Sequence, residues 1–309
     1  CCRSRSSSSC ASTAWRLPAP APARTSRVAL CIGIDDYGGR NSLPNCVNDA
    51  TDMGACAQRI GFEYVQVLRD STQKEIMREI RRLRDERIRP GSLVLLYFSG
   101  HGAEHEGVTY LLPRGMESFD PDDYENEAVS LNAVLKLLNS RAEGTLNLLF
   151  LDCCRANELD TTFKGTKGAA AAAPSKGAIG KDVRAKKDAQ YLIGLACDPG
   201  TVALADRGSR NSRYTAALLR HLPAQGRPLE ATMREVRAEV LAQTGQAQKP
   251  WENSCLTESV VLVPGQSAEQ RAAQEEVQRL QREVEERDEQ VRQLEATLRR
   301  LGGGGGSSW

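Results

Sequence analysis

Several features that would mark other protein classes are missing from this 309-residue chain. No apolar run approaches the roughly 18 residues of a membrane-spanning helix; the longest are Leu93–Phe98 and Leu146–Leu151. The 41 Lys and Arg nearly balance the 40 Asp and Glu, so the net charge of +1 does not favour nucleic-acid binding by the whole chain. The ten cysteines include no C-x-x-C, which excludes a zinc site of that type. These absences predict a soluble protein of one large domain or two ordinary ones.

The cysteines also predict a compartment. Four of them lie among apolar residues, where free thiols behave as small hydrophobic groups: Cys31, Cys46, Cys56 and Cys197. Such usage is typical of a reducing environment, so we expect a cytoplasmic protein. Residues 1–27 are rich in Ser, Arg, Ala and Pro and contain no acidic residue, which predicts a disordered tail. An organellar targeting segment has a similar composition and is the alternative interpretation of this tail.

From residue 28 to residue 263, short apolar strands alternate with helices, which predicts an α/β fold with a mainly parallel sheet. The predicted strands are Val28–Ile34, Phe62–Leu68, Ser92–Phe98, Thr145–Leu151, Tyr191–Cys197 and Ser259–Val263. The predicted helices are Asn48–Ile60, a helix from the capping box at Thr72 to about Arg89, a helix capped at Ser130, Ser212–Leu222 and Leu229–Thr244. Residues 163–188, rich in Gly, Ala and Lys, are expected to form a flexible linker within this domain.

Residues 266–301 follow a heptad pattern. The first core position of the heptad, a, holds Val277, Val284, Val291 and Leu298, and the second, d, holds Leu280, Arg287, Leu294 and Leu301. Mostly β-branched residues at a and Leu at d favour a parallel two-stranded coiled coil, which Arg287 would weaken. A single solvated amphipathic helix is the alternative. Residues 302–309 are expected to form a flexible tail.

Two short motifs carry the candidate chemistry. Tyr97–Gly102 and Leu151–Arg155 each include or directly follow the end of an apolar strand, and the carboxyl ends of parallel strands meet at one edge of a sheet. Attack by a cysteine on a carbonyl needs a thiolate, a proton acceptor and donors for the developing oxyanion. His101 can accept the proton, and the amide of Gly102 can serve the oxyanion together with that of the nucleophile.

Each motif alone also has an ordinary structural explanation. The pair Cys153–Cys154 could be buried structure, and a histidine between glycines could be polar surface. Their joint position, with the histidine about fifty residues before the cysteines, favours catalysis instead. A metal site at His101 and His105 is not supported, because Gly100 and Gly102 disfavour the helix that would align the two rings. No metal or other cofactor is therefore expected at this motif.

Tyr97–Gly102 and Asp152–Arg155 resemble the two catalytic motifs of the caspase-fold cysteine peptidases: the caspases, metacaspases and paracaspases. The resemblance covers about residues 28–263 and implies a caspase-hemoglobinase fold with a six-stranded sheet. In that family the nucleophile stands two residues after the residue that ends the strand, here Asp152. The resemblance therefore implies Cys154 as nucleophile, with His101 as its base and the amides of Gly102 and Cys154 as the oxyanion hole. Strand alternation agrees, because Cys153 would point to the opposite face from Asp152 and Cys154.

The resemblance also implies a substrate class. Metacaspases and paracaspases cleave after Arg or Lys, and the residues equivalent to Asp49 and Asp152 line their primary pocket. Two carboxylates would bind a guanidinium and repel an acidic side chain. Cys46 and Ser99 match other pocket positions of metacaspases. The alternative for Asp49 is that it only supports the N-terminus of its own helix.

The chain also departs from the family pattern. The paired aspartates of the metacaspase calcium site would fall near Val129 and Ser130, so calcium is possible but not expected. A nearby acidic loop contains Asp120, Asp122, Asp123 and Glu125. It could bind calcium differently, although a solvated acidic loop is the simpler interpretation. Together these features predict a cysteine endopeptidase that cleaves proteins or peptides after Arg or Lys, with self-association or a coiled-coil partner through 266–301 and no nucleic-acid or membrane partner. The main alternative is a caspase-fold pseudoenzyme that acts as a scaffold.

Overall fold

The computed structural model describes residues 26–116, 118–140, 143–153, 190–198 and 208–302. Three segments predicted from the sequence lie wholly or mainly outside the described residues: the N-terminal tail, the linker 163–188 and the C-terminal tail. The proposed nucleophile Cys154 is also outside them, although Asp152 and Cys153 are described.

Two sheets are found in the described part of the chain. The strands are β1 (Arg27–Gly33), β2 (Tyr64–Arg69), β3 (Leu93–Ser99), β4 (Gly102–His105), β5 (Val108–Leu111), β6 (Val129–Ser130), β7 (Leu146–Asp152), β8 (Gln190–Leu195) and β9 (Trp251–Ser254). The larger sheet has the order β2-β1-β3-β7-β8-β9 and is parallel except for the pair β8 and β9. The strands β4, β5 and β6 form a small antiparallel sheet that continues directly from the end of β3.

Helices pack on both faces of the larger sheet. The α-helices of the described residues are α1 (Cys46–Arg59), α2 (Gln73–Arg82), α3 (Tyr124–Glu127), α4 (Leu131–Leu138), α5 (Arg213–His221), α6 (Leu229–Gln243) and α7 (Ala268–Gly302). One face of the sheet forms an apolar core with α1, α5 and α6, and the other forms a second core with α2 and α4. Because side chains alternate along a strand, Tyr97 joins the first core and Phe98 the second.

Five of the six predicted strands are confirmed within two residues at each end, but the sixth is wrong. Ser259–Val263 makes only isolated bridges, and the antiparallel edge strand is β9 instead. Val260 and Leu262 are apolar because they pack against the core that contains α6, not because they pair in a sheet. The sequence of β9, Trp-Glu-Asn-Ser, lacks an apolar run because this edge strand is partly exposed.

The capping box that opens α2 is confirmed. Thr72 Oγ1 accepts a hydrogen bond from Glu75 N, and Glu75 Oε2 accepts one from Thr72 N at 2.8 Å. A single π-helical turn, Leu83–Arg87, follows α2 and carries the helical backbone to near the predicted end. Ser130 occupies the N-cap position of α4, but its side chain makes no capping hydrogen bond.

The predicted C-terminal helix is present as α7, 35 residues long. Its apolar positions face solvent, with Val284 57% and Leu294 64% exposed, so the coiled coil itself stays a prediction. Among the described residues, no helix is both long and apolar enough to cross a membrane.

Gly33 allows α1 to begin close to the end of β1. A Cβ at this position would lie 2.1 Å from the carbonyl oxygen of Cys46, the first residue of α1. We expect Gly33→Ala to lower the free energy of unfolding by about 3 kcal/mol, because the clash is with backbone that cannot rotate away. Urea denaturation measures this loss.

The control is Gly107→Ala, where φ is +80° and no atom lies within 4 Å of the added methyl group. This variant measures backbone strain alone and should lose about 1 kcal/mol. Equal losses in the two variants would show that the contact between β1 and α1 is not tight.

Candidate active site

The strands β3 and β7 bring the two predicted motifs to one edge of the sheet. Ser99 and Asp152 are register partners at the carboxyl ends of these neighbouring parallel strands. The amide of Gly100 donates a hydrogen bond to the carbonyl oxygen of Asp152 at 3.2 Å. The chain that leaves β3 therefore presents His101 beside the chain that leaves β7 toward residue 154.

The imidazole of His101 is held in one orientation. Its Nε2 lies 2.7 Å from the carbonyl oxygen of Asn41. A carbonyl can only accept, so Nε2 carries the proton and Nδ1 is left as the basic nitrogen. Burial lowers the pKa of His101, and the bond to the Asn41 carbonyl offsets part of that effect. His101 is therefore neutral at pH 7 and able to accept a proton.

Tyr37 supports the same histidine through its ring and its hydroxyl. The rings of Tyr37 and His101 have centroids 4.4 Å apart in an edge-to-face arrangement. The Tyr37 hydroxyl accepts from His101 N at 2.8 Å and donates to the Leu112 carbonyl at 2.8 Å. Gly102 follows as the first residue of β4 and is buried.

The loop between β1 and α1, which carries Tyr37 and Asn41, is fixed by two aspartates. Asp35 Oδ1 accepts from the amides of Cys46 and Val47 at the start of α1, at 2.7 and 3.2 Å. Asp70 Oδ1 accepts from the amides of Asp35 and Asp36, at 2.7 and 2.9 Å. Sequence reasoning missed Asn41, because a contact through a backbone carbonyl leaves no residue-type signature. It also missed Tyr37, whose ring and hydroxyl reach His101 from a loop 64 residues earlier in the chain.

A pair of buried carboxylates lies at the same edge of the sheet. Asp49 is 1% exposed and Asp152 is 7% exposed. Ser212 links them, since its amide donates to Asp49 Oδ1 at 3.1 Å and its hydroxyl donates to Asp152 Oδ2. Ser99 Oγ donates to Asp49 Oδ2 at 3.1 Å, and Thr215 Oγ1 donates to Asp152 Oδ2 at 2.6 Å. The sequence placed the aspartates and Ser99 but missed Ser212 and Thr215.

Burial and mutual repulsion keep these carboxyl groups from ionising easily. Desolvation raises the pKa of both, and the charge of Asp152 helps to raise the pKa of Asp49 to about 8. Asp35 accepts hydrogen bonds from the amides at the N-terminus of α1. The Asp49 carboxylate instead accepts hydrogen bonds from Ser99 and Ser212, which belong to other elements. A cation between Asp49 and Asp152 would relieve the repulsion.

Two thiols near this edge are both buried. Cys46 begins α1, hydrogen-bonds with the side chain of Ser99, and has a pKa that burial raises well above its usual range. Cys153 is 2% exposed and packs in the core with α2 and α4, on the opposite side of β7 from Asp152. The strand alternation that was predicted for Asp152 and Cys153 is therefore present.

The acidic segment near residue 120 forms a capped turn. Asp120 Oδ1 accepts from the amide of Asp122 at 3.2 Å at the start of a 3₁₀ turn. Across the residues that the structure describes, no group of three or more His, Cys, Asp or Glu side chains could hold a metal ion. The expectation that calcium is not required stays a prediction.

The mainly parallel sheet thus carries His101 after the end of β3 and the pair Asp152–Cys153 at the end of β7. Sequence comparison identifies the class of protein with these features. The caspase domain of the peptidase C14 family matches residues 26–261, most of the chain. The chain belongs to this caspase-domain family.

Individual relatives agree with this assignment. Metacaspase-5 of Trypanosoma cruzi is 30% identical over 161 residues, which cover 47% of this chain and 36% of that protein. The human mucosa-associated lymphoid tissue lymphoma translocation protein 1 is 30% identical over 147 residues, which cover 46% of this chain and 17% of that protein. The matched region thus spans about a third and about a sixth of these two relatives.

Solved structures show the same fold. Caspase-1 of Spodoptera frugiperda superposes with a TM-score of 0.54 at 15% sequence identity, over 78% of this chain and 90% of that chain. A protein of Geobacter sulfurreducens superposes with a TM-score of 0.50 at 18% identity, over 75% and 94%. At these identities the likeness concerns the fold alone.

The contacts of His101 predict its tautomer and its titration. In protein labelled with ¹⁵N-histidine, we expect His101 to be neutral at pH 7, with its proton on Nε2 and a pKa below the ordinary 6.5. The two ring ¹⁵N shifts across a pH series measure both properties. The chain has only three histidines, so His101→Gln identifies the signal by its loss. A proton on Nδ1, or a pKa above 6.5, would contradict this description of the site.

Proposed function

We propose that this protein is a cysteine endopeptidase that cleaves peptide bonds after Arg or Lys. The observation that carries the proposal is the buried pair of Asp49 and Asp152, which lies at the same sheet edge as the oriented base His101. Membership of the caspase-domain family supports the peptidase chemistry. The buried carboxylates support the basic specificity.

In the proposed reaction His101 Nδ1 accepts the proton of the Cys154 thiol, and the thiolate attacks the carbonyl carbon of the scissile bond. The amides of Gly102 and Cys154 donate to the oxyanion that forms. Collapse of this intermediate breaks the C–N bond, and His101 returns the proton to the departing amine. Water, activated by the same imidazole, then hydrolyses the thioester and restores the thiol.

Two details favour Cys154 over its neighbour as nucleophile. The Cys153 side chain is buried in the core on the far face of β7, where a substrate carbonyl has no access. A residue two positions after Asp152 returns to the face that carries the two carboxylates, if the strand alternation continues. Cys154→Ala is therefore the inactive reference in every activity assay. Cleavage by wild type but not by Cys154→Ala would identify an enzyme, whereas no difference between the two would indicate a scaffold without activity.

The carboxylate pair explains the proposed preference at the cleaved position. A guanidinium or ammonium group between Asp49 and Asp152 would neutralise their repulsion, and an acidic side chain would increase it. Cys46 and Ser99 would complete the wall of this pocket beside Asp49.

We expect wild-type protein to cleave fluorogenic peptides that end in Arg or Lys and not the matched peptide that ends in Asp. Asp152→Asn should lower kcat/KM for the Arg peptide at least 100-fold, because leaving one partner of a buried ion pair unpaired costs about 3 kcal/mol or more. Asp122→Asn, an exposed carboxyl away from the sheet edge, is the matched control and should retain activity. Full activity of Asp152→Asn, or a preference for Asp, would contradict the pocket assignment.

We also propose that α7 pairs with a second copy of the chain in a parallel coiled coil. The apolar a and d positions from Val277 to Leu298 are about half to two-thirds exposed in the single chain. Arg287 at d lies between Glu283 and Asp288 in the flanking g and e positions. In a parallel pair in register, Glu283 would face Asp288 of the other copy, and Arg287 would compensate these two negative charges.

Light scattering on the full chain tests this pairing, with twice the chain mass expected. The double variant Val284→Glu and Leu294→Glu places charges in the seam and should be monomeric. The control Gln278→Glu and Ala296→Glu adds the same charge on the outer face of α7 and should remain dimeric. A monomeric wild type would rule out the homodimer and leave α7 for a different partner.

The proposed location is the cytoplasm. It is supported by Cys31, Cys46 and Cys56, which are buried among apolar residues as thiols of proteins in reducing compartments commonly are.

A further inference from the structure

The segment that precedes α5 is attached to α1 by side chains beside the carboxylate pair, and one of them, Asn211, also hydrogen-bonds Asp49. Arg210 makes a two-pronged ion pair with Asp52, with Nε–Oδ2 at 2.8 Å and Nη2–Oδ1 at 2.7 Å. Asn211 Nδ2 donates to the same Asp52 Oδ2 at 3.0 Å. Asn45, just before α1, donates from Nδ2 to the carbonyl oxygen of Ser209 at 2.9 Å. Two consecutive side chains of the segment thus converge on Asp52, and a third contact holds its backbone.

The attached segment ends at Ser212, the residue that links the two pocket carboxylates. Ser212, two positions after Arg210, bonds Asp49 with its amide and Asp152 with its hydroxyl. Its hydroxyl also accepts from the amide of Thr215 at 3.0 Å, which caps α5. Asp49 and Asp52 are one turn apart on α1, so the same helix holds a pocket carboxylate and the anchor of the segment that faces it.

The geometry of the ion pair suits a positioning task better than a stabilising one. Arg210 is 62% exposed and Asp52 24% exposed, and ion pairs at such exposed sites contribute little to stability. The guanidinium nevertheless fixes both distance and angle, because two parallel bonds to one carboxylate leave little freedom. Arg210 keeps the pKa of Asp52 below its usual range, so both members of the pair are charged at neutral pH.

We propose that Asp52 and Arg210 are positioning residues for the primary substrate pocket. They hold the segment 208–212 on α1, and this keeps Ser212 between Asp49 and Asp152 at the spacing that a basic side chain needs. The inference rests on the proposed function, and adds to it a pair of residues that touch neither the substrate nor the reacting atoms.

The test uses full-length Asp52→Asn, Arg210→Gln, Arg210→Lys and the reversed pair Asp52→Arg with Arg210→Asp. We expect each of the first two variants to lower kcat/KM for the Arg peptide about tenfold, mainly through KM, since small misplacements of binding groups are costly. Alkylation of the active-site thiol by iodoacetamide, which does not use the pocket, should stay within twofold of wild type. Arg210→Lys should recover part of the loss and the reversed pair most of it.

Arg84→Gln is the matched control, because Arg84 makes a similar two-pronged pair with Asp85 on the opposite side of the sheet. It should leave both kcat and KM unchanged. Unchanged KM in Asp52→Asn and Arg210→Gln would overturn the proposal. An equal fall in the alkylation rate would also overturn it, because the loss would then be a general disturbance of the domain.

Hydrogen exchange separates this inference from the proposed specificity. Amide exchange in 208–215 should accelerate about tenfold in Asp52→Asn and Arg210→Gln, while β3 keeps its protection. If wild type fails to cleave basic peptides but this acceleration is seen, the specificity is wrong and the positioning of the segment stands. If exchange in 208–215 is unchanged, the positioning role is wrong whatever the substrate.

Discussion

The pairing of β3 with β7 is the constraint on which the candidate site depends. Both strands are buried along their whole length, and each face of the sheet packs into its own apolar core. A slip of one residue in β7 would turn the Asp152 carboxylate into the aliphatic core with α2 and α4 and turn Cys153 toward Asp49. Hydrophobic burial therefore fixes which side chains of the polar motif face the pocket.

The sequence predicted the central strands well because their burial on both faces makes them continuous apolar runs. It failed at the edge, where β9 is short and polar and pairs antiparallel with β8. The apolar residues of Ser259–Val263 reflect packing onto the core without strand pairing. The small sheet of β4, β5 and β6 was also missed, because four-residue and two-residue strands leave too short a pattern to detect.

In the candidate site, the residues with a characteristic chemistry could be predicted from the sequence. The hydrogen-bonding partners that hold them in place became visible only in the structure. Asp49 and Asp152 could be predicted because the resemblance to metacaspases and paracaspases implied that both line a pocket for a basic side chain. Asn41 acts through its backbone carbonyl, which any residue could provide. Ser212 has an ordinary explanation as the N-cap of α5, and this explanation hides its second role between the carboxylates.

The buried aspartate pair has a consequence for how a basic ligand would be taken up. An empty pocket in which burial and repulsion raise the pKa of Asp49 to about 8 retains a proton near neutral pH. In the proposed role, an arriving guanidinium would replace that proton. Uptake would then be an ion exchange: one cation leaves for solvent as another enters, and the net charge of the pocket stays nearly constant. The affinity of such a pocket would rise with pH up to the point where the proton is already absent.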